Sequence, residues 1–568
     1  MHHTVEKHAG RKMLQKDKTT NRTRCQDIFV ETSFRISRRE DLMSGMAFTD
    51  DSVIFGHAGL QRWLKENNTI DPPLALQDGR YAAVIHDKHG LSAFTDTMGQ
   101  DTIFYYSKGD VWGFSNSFLA LAESLSESGV RLKINHAVLA AFQIGSRSLF
   151  GGQLYSHDTP IRDIYVLPIN RLIRVRSQEE KEARLYVKSR PMQSQSTLNY
   201  QESLIDFVTT WRRRFFSLGK AGLQGANIGL SGGFDSRITF AIAYPVLADI
   251  MKINVHSSPG KLDDLGPANV IREIYNIPER DNFKNPATID SNEAFNLWKL
   301  GNVGCYSPIY MPRRHSASTV INVHGGHFRA VSYARSKPKE RIRMSARHIK
   351  NNSGVREEFR NLYENSFNEI DVDVDDPKAM QEHYLNFRAR FHYGRAWYKN
   401  LSSIVVTPLL TRSLKNLTDA REYSVDDVMG QLSHDLMFLL NPDLTDVPFD
   451  SKEKFFTHQM RESCPFHRSA LPRIIYDSEM KVYGDFTDHS SFGRKGISGE
   501  NLKSEFRDRI ASEMESAVSI LSEMALIDDR DINDAILENT KEGRVSKPTA
   551  PATSFIISAG AILSLVDD

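Results

Sequence analysis

Ser231, Gly232, Gly233, Asp235 and Ser236 fall within six residues, after the apolar stretch Ile228-Gly229-Leu230 and before a helix-compatible run that begins at Arg237. Two adjacent glycines let a backbone approach an anion closely, and a helix starting there aims its unpaired N–H groups and positive dipole end at the same point. Ser231 and Ser236 add hydroxyl donors. The combination suits pyrophosphate. A carboxylate would repel a polyphosphate, so Asp235 is expected to hold a Mg2+ ion bridging the phosphate oxygens. The spacing is neither G-x-x-x-x-G-K-[ST] nor G-x-G-x-x-G. An ordinary strand-to-helix turn needs one glycine or an N-cap serine, and has no use for all five residues together.

The segments around this loop read as a nucleotide-binding α/β unit. Arg237 to Leu247 is helix-compatible until Pro245 bends or ends it, Ile250 to Ser257 is a short β-rich run, and Gly266 to Ile277 is helical again. Parallel sheets built this way bind ligands at the carboxyl ends of their strands, which puts Leu230 and the stretch from Val255 to Ser258 around an adenine or ribose. Asp264 opens the next helix, either as an acidic N-terminal residue or with a metal or substrate role. Farther on, Tyr384 to Asn400 is aromatic and rich in arginine. Core packing would explain its aromatics but not Arg388, Arg390 and Arg395, so an acidic or phosphate-bearing ligand is expected there. The stretch from Arg335 to Pro377 carries seven Lys/Arg and one acid up to Lys350, then the run Asp371-Val-Asp-Val-Asp-Asp376. That run lacks the glycine of a calcium loop, and opposite charges this close are expected to be solvated or to pair.

Length and composition bound the remainder. A chain of 568 residues holds roughly two to four domains, and 40% hydrophobic with 25% charged residues is ordinary for a globular protein. The balance of 72 basic and 71 acidic residues, a net charge of +1, leaves no global electrostatic footprint for nucleic acid or membrane. Cys25, Cys305 and Cys464 are too few and scattered for a disulfide framework or zinc site, which argues for a reducing, cytoplasmic location. The most apolar segment, Ser554 to Val566, is 13 residues long, short of the about 20 a spanning helix needs. It is expected to be a final amphipathic helix with Ser554 as its cap. The first 24 residues hold seven Lys/Arg and two acids with no apolar stretch, so they read as a basic arm without order, not a secretory signal.

Before the loop, Val84 to His86, Leu91 to Thr95, Thr102 to Tyr106 and Val111 to Ser115 are strand-like runs divided by glycine turns, which predicts an antiparallel meander. A helix from Asn116 into Leu125, another from Asn135 to Gly145, and a strand pair from Ile164 to Val175 bent at Pro168 follow. Gln193 to Ser196 reads as a linker. Glu202 to Phe216 is an amphipathic helix whose Arg212, Arg213 and Arg214 are expected on a solvated surface.

The runs Asp78-Gly-Arg-Tyr-Ala-Ala-Val-Ile-His-Asp87, Thr95-Asp-Thr-Met-Gly-Gln-Asp-Thr-Ile-Phe-Tyr-Tyr106 and Gly113-Phe-Ser-Asn-Ser117, followed by Ser231-Gly-Gly-Phe-Asp-Ser236, resemble the asparagine synthetase family in the expected order. The form Ser-Gly-Gly-Phe-Asp-Ser-Arg is most similar to divergent bacterial branches that include β-lactam synthetases and lasso-peptide cyclases. The resemblance implies an α+β, Ntn-hydrolase-like glutamine amidotransferase domain over residues 26–190, after an arm at 1–25. An α/β PP-loop synthetase domain with a helical C-terminal part would then cover 197–568. It implies ATP and Mg2+ as cofactors, adenylation of a small-molecule or peptide carboxylate, and attack by an amine. Leu230, Ser231, Gly232, Gly233, Asp235, Ser236 and Val255 would bind the nucleotide, with Gly325 and Gly326 of Ile321-Asn-Val-His-Gly-Gly326. Lys481, between Ser469-Ala-Leu-Pro472 and Asp488-His-Ser-Ser-Phe492, would be the lysine that stabilises charge on the adenylate; its plain reading is a surface lysine. No nucleic acid and no membrane are expected as partners, and a homo-oligomer is compatible with these readings.

The chain departs from that family in two places. Position 2 is His2, where glutamine-hydrolysing members carry the cysteine whose own α-amine acts as base; Cys25-Gln-Asp lacks that context. Glutamine hydrolysis is therefore not expected, and the amine would come from elsewhere. After Gly326, where an acid is common, the chain has His327-Phe-Arg329. A neutral imidazole is a poor Mg2+ ligand, so His327 and Arg329 would neutralise charge on the substrate, or an acid such as Asp264 would move in, or activity would be lost. A catalytically degenerate binding or scaffold protein is the alternative these departures favour. An enzyme adenylating a tRNA base for sulfur transfer is disfavoured by the near-neutral charge and the lack of paired cysteines.

Overall fold

The computed structural model describes residues 28–34, 40–68, 71–88, 90–144, 150–178, 181–192, 198–223, 225–257, 262–277, 291–305, 320–326, 336–349, 352–391, 404–419, 425–451, 454–476, 478–485, 509–518 and 550–566. The arm at 1–25 with Cys25, the linker at 193–196, and His327, Arg329 and Arg395 lie outside them.

The first part of the chain runs β1 (Val30–Thr32), β2 (Leu42–Phe48), β3 (Ser52–Phe55), α1 (Gly56–Glu66), β4 (Asp78–Asp87), β5 (Gly90–Thr95), β6 (Phe104–Lys108), β7 (Val111–Ser115), α2 (Phe118–Glu127), α3 (His136–Ile144), β8 (Ile164–Val166), β9 (Arg171–Gln178) and β10 (Lys181–Ser189). Among the described residues these strands form two sheets, ordered β1-β7-β6-β8 and β10-β9-β5-β4-β2-β3, with antiparallel pairing throughout. The period-2 alternation sorts side chains onto opposite faces. Ala82, Val84, Leu91 and Ala93 pack between the sheets on Trp112 and Phe114, while Tyr81, Ala83 and Phe94 pack outward against Leu60 and Trp63 of α1. Phe104 and Tyr106 face the other way, onto Phe118 and Leu121 of α2. The result is helix, sheet, sheet, helix. Helix α2 starts where Ser117 caps it by accepting from Ala120 N–H.

The second part opens with α4 (Tyr200–Lys220), β11 (Gly225–Gly229), α5 (Phe234–Leu247), β12 (Lys252–His256), α6 (Leu262–Ile274), α7 (Ser291–Asn302) and β13 (Val320–Val323). It continues through α8 (Pro338–Ala346), α9 (Ser353–Asn368), α10 (Ala379–His383, running into a π-helical turn at Tyr384–Arg388), β14 (Ile404–Val406), α11 (Arg412–Asp419) and α12 (Val425–Leu440). An Asn199–Glu202 capping box starts α4. Strands β12-β11-β13-β14 form a third sheet, all parallel. One face carries Ala226, Ile228, Val255, Ile321, Val323 and Val406 into a core shared with α4, α5 and α12. On the other face Asn254, Asn227 and Asn322 stand in register and link by amide hydrogen bonds of 3.1 and 3.0 Å. The chain leaves β11 for β12 on one side and later reaches β13 on the other, so the order reverses at the carboxyl end of β11, where an open α/β sheet leaves its crevice.

The molecule is thus mixed α/β with several sheets, and most expected strands and helices before the loop are present. Helix α5 runs to Leu247, where the expected helical run ends, with Pro245 inside it. Four expectations need correction. The expected meander is two hairpins, β4–β5 and β6–β7, in different sheets. Arg214 is buried, not solvated: it donates to Asp78 Oδ2 at 2.9 Å and lies over the Phe48 and Trp211 rings. Lys481–Tyr483 (β15) pairs in parallel with β3 and extends the first part's sheet. The final helix (α13) is Ala550–Leu563; Ser554 lies inside it, and Pro551 occupies its first turn, where proline is tolerated. That helix is buried nearly all round among Phe104, Phe118 and Trp298, so it is an interior helix and not an amphipathic one. In the insertion, Lys339 pairs with Asp375 at 2.9 Å, joining its basic and acidic halves.

Candidate functional site

The loop stands at the crevice. Leu230 N–H donates to the His256 carbonyl at 2.9 Å, which ties the end of β11 to β12. Leu230 and Val255 both turn their side chains into the core, 2% and 3% exposed, leaving only their backbones at the sheet edge; the Val255 carbonyl accepts from Arg272. Ser231 Oγ and Ser236 Oγ lie 2.8 Å apart, Ser236 Oγ accepts from Ser231 N–H at 3.1 Å, and Ser231 Oγ accepts from Gly233 N–H at 3.2 Å. These bonds fold the loop into a compact cradle. Gly233 is the N-cap of α5 and brings no side chain to the first turn, while Asp235 sits in that turn. Dipole and N–H groups therefore converge there, as an anion site requires.

Each glycine has its own reason. A Cβ on Gly232 would stand 2.8 Å from Asp450 N and 3.0 Å from its Cα, so a second chain segment closes on this residue. On Gly325 it would stand 2.9 Å from Asp235 Cβ, which shows the β13 end packed against the start of α5. Gly326 has a φ of +71°, open to glycine at little cost, and packs on Thr407 and Leu410 beyond β14. Gly233 is the least crowded: its Cβ would meet Ser231 Oγ at 3.5 Å and Lys454 Nζ at 4.0 Å.

That last distance identifies the lysine at the loop as Lys454. Its Nζ holds both Asp450 carboxylate oxygens at 2.8 Å. Lys481 is elsewhere: it lies on the edge strand β15, 61% exposed at its side chain, and pairs with Glu66 of α1, which raises its pKa. The role expected of Lys481 is corrected accordingly, because pairing with β3 carries this segment to the first part's sheet. Asp264, in the first turn of α6, accepts from Gly232 N–H at 3.3 Å. Among the described residues, Asp235, Asp264 and Asp450 thus stand at the loop with the cations of Lys454 and Arg237, and hard carboxylate oxygens are the ligands that a Mg2+ ion would take.

The Asp450–Lys454 segment owes its place to Arg237. This guanidinium is fully buried and donates to the Leu444, Val447 and Pro448 carbonyls and to Gly232 O, with its plane 4.0 Å from the Phe449 ring centroid. Burial pulls its pKa down to about 10, so it stays charged at neutral pH.

The other arginines serve the seam between the two parts. Arg388 Nη1 donates to Tyr155 Oη at 2.7 Å, and Arg390 donates to the Leu167 and Gly99 carbonyls. Gln100 reaches across the same seam to the Leu410 carbonyl at 2.9 Å and accepts from Thr407. Arg388 therefore helps to join the two parts at this seam.

His434, Asp435 and Cys464 form a second polar cluster, with candidate ligand atoms within 4.8 Å of one another. Asp435 already accepts from Tyr200 at 2.9 Å and Gln431 at 2.8 Å and lies 3.0 Å from His434 Nδ1, and burial pushes the Cys464 thiol up to about 12. A network this occupied ties α4 and α12 together.

Nothing local marks Asp450 or Lys454 in the sequence. Arg237, adjoining the loop, was the available signal. No protein-family model matches the chain, and no curated protein matches it. Among the described residues, no helix is long and apolar enough to cross a membrane.

Proposed function

We propose that this chain is an ATP-dependent amide synthetase, similar to the asparagine synthetase family, which adenylates a carboxylate and passes the acyl group to an amine with release of AMP and pyrophosphate. The reading rests on one observation above all: the serine-glycine loop, the start of α5 and Lys454 converge at the point where the parallel sheet changes direction. The N–H groups at the start of α5 and the Ser231 and Ser236 hydroxyls would hold the β- and γ-phosphates. Asp235, with Asp264 or Asp450, would hold Mg2+, which supplies charge neutralisation on the phosphate oxygens. A substrate carboxylate oxygen then attacks the α-phosphorus as its bond to pyrophosphate breaks, and an amine nitrogen attacks the acyl carbon as AMP leaves. Both steps build negative charge on oxygen near the loop. Lys454, released from Asp450, would meet that charge with a compact ammonium.

The first part is then a scaffold derived from a glutaminase domain, with the amine supplied by the substrate or from solution. A second reading, a degenerate relative that binds nucleotide without turnover, is favoured by His327 standing where the family commonly has an acid. Pyrophosphate release, followed across panels of carboxylates and amines, separates the two. Release that requires both an acid and Mg-ATP supports the synthetase; nucleotide binding without release across the panel supports the degenerate relative.

A further inference from the structure

We infer that Arg237 is a positioning residue that sets Lys454 at the phosphate loop. This goes beyond the proposed chemistry but rests on the same loop. The side chain is 0% exposed, and a guanidinium is not buried without reason, since it must exchange its hydration for protein acceptors. Here the acceptors come from two places. Gly232 O belongs to the phosphate loop, at 3.1 Å; Val447 O, at 2.9 Å, Leu444 O, at 3.4 Å, and Pro448 O belong to the segment after α12. The planar fork joins the two as no ammonium could. Phe449, stacked at 4.0 Å, also meets the Phe234 and Phe456 rings, so the segment is gripped on both sides of Asp450 and Lys454.

The same bridge is closed a second time by the backbone. Gly232 O also accepts from Asp450 N–H at 3.3 Å. One carbonyl of the loop thus takes the Arg237 guanidinium and the first residue of the Asp450–Lys454 pair. Displacing Arg237 would let this segment move away from Gly232 and carry Lys454 Nζ with it. Arg237 donates to neither Ser231 nor Ser236, but it also holds the loop directly through Gly232 O, so the test must separate that direct effect from one passed through the lysine.

The test has two arms on the full chain. In the first, calorimetry with inorganic pyrophosphate and Mg2+ compares the parent with Arg237→Lys, Lys454→Ala and the double variant. Each single change should weaken binding by on the order of tenfold, and the double variant should be no weaker than Lys454→Ala alone. Multiplicative losses would overturn the inference, because Arg237 would then act independently of Lys454. In the second arm, which needs no ligand, amide hydrogen exchange should rise in residues 444–451 of Arg237→Lys while β4 and β5 keep the parent's protection. Unchanged exchange at 444–451, or an equal rise everywhere, would also overturn it. A parent that binds no pyrophosphate but shows the localised exchange would count against the proposed function and leave the positioning role standing.

Discussion

Two lysines show how far a residue's type is from its role. Lys481 and Lys454 are both partly exposed and both paired with a carboxylate, yet only Lys454 lies beside the loop. An ammonium that meets charge developing on the adenylate acts chiefly in the transition state. Lys454→Met should therefore lower turnover by about a hundredfold or more, while Lys481→Met, which loses only a surface ion pair, should stay within about twofold. Equal effects in a pyrophosphate-release assay would contradict this assignment. His383 offers a pH-dependent test of the core. It is fully buried, with Ser366 Oγ 2.8 Å from Nε2, and burial lowers its pKa to about 3. The unfolded chain protonates this imidazole near pH 6.5 and the folded one near 3, so its stability contribution is intact above 6.5 and is lost as the pH falls. Asp96 and Asp158, pushed up to about 6 by burial, act in the opposite sense over part of the same range. The readout is therefore the difference from a His383→Gln variant: the parent should lose about 1.4 kcal/mol more per pH unit between pH 6 and 4. Parallel melting curves across that range would refute it.

At the scale of elements, the turn from β11 into α5 was readable because everything it needs is local: glycines for close approach, serines for donors, and a helix start. The hairpins β4–β5 and β6–β7 were readable for the same reason, since alternation and glycine turns need no distant partner; the single meander expected of them was not, because β5 and β6 lie in different sheets, paired with β9 and β8. Arg214 was misjudged because a run of three arginines on one helix looks solvated until β4 brings Asp78 to it. Lys454 was invisible because its position depends on Arg237 gripping carbonyls far along the chain, and a carbonyl has no sequence signature. The two loop glycines also separate. Gly232→Ala forces a methyl group onto the Asp450 backbone and should cost about 1–3 kcal/mol. Gly233 has a φ of −84° and only ordinary contacts near its would-be Cβ, so Gly233→Ala should stay within about 0.5 kcal/mol in the absence of ligand. Thermal unfolding of the pair checks this, and a reversed order would mean that Asp450 does not close on Gly232.

Over the whole molecule, the chain returns repeatedly to its first part: α7 packs on α2, α9 on α3, β15 lies on the edge of the larger sheet and α13 in the core beneath α2. Sequence patterns locate segments but not such returns, because the partners of each returning element lie far away along the chain. The seam joins apolar clusters with a buried ion pair: Asp78 takes the Arg214 guanidinium and the Arg412 N–H, and both ionic side chains are at most 14% exposed. Asp78→Ala would leave a buried guanidinium unpaired and should destabilise the protein by about 3–5 kcal/mol; a change under about 1 kcal/mol on denaturant unfolding would show the two parts to be held by other contacts. The claim that everything else rests on is that the loop at Ser231 to Ser236 takes a magnesium nucleotide. Titration of the purified chain with Mg-ATP by calorimetry, beside Asp235→Asn, tests it most directly. We expect saturable, Mg2+-dependent binding in the parent and a loss of at least tenfold in the variant with its melting temperature unchanged. Equal affinity in the two proteins, or no binding by the parent, would contradict it.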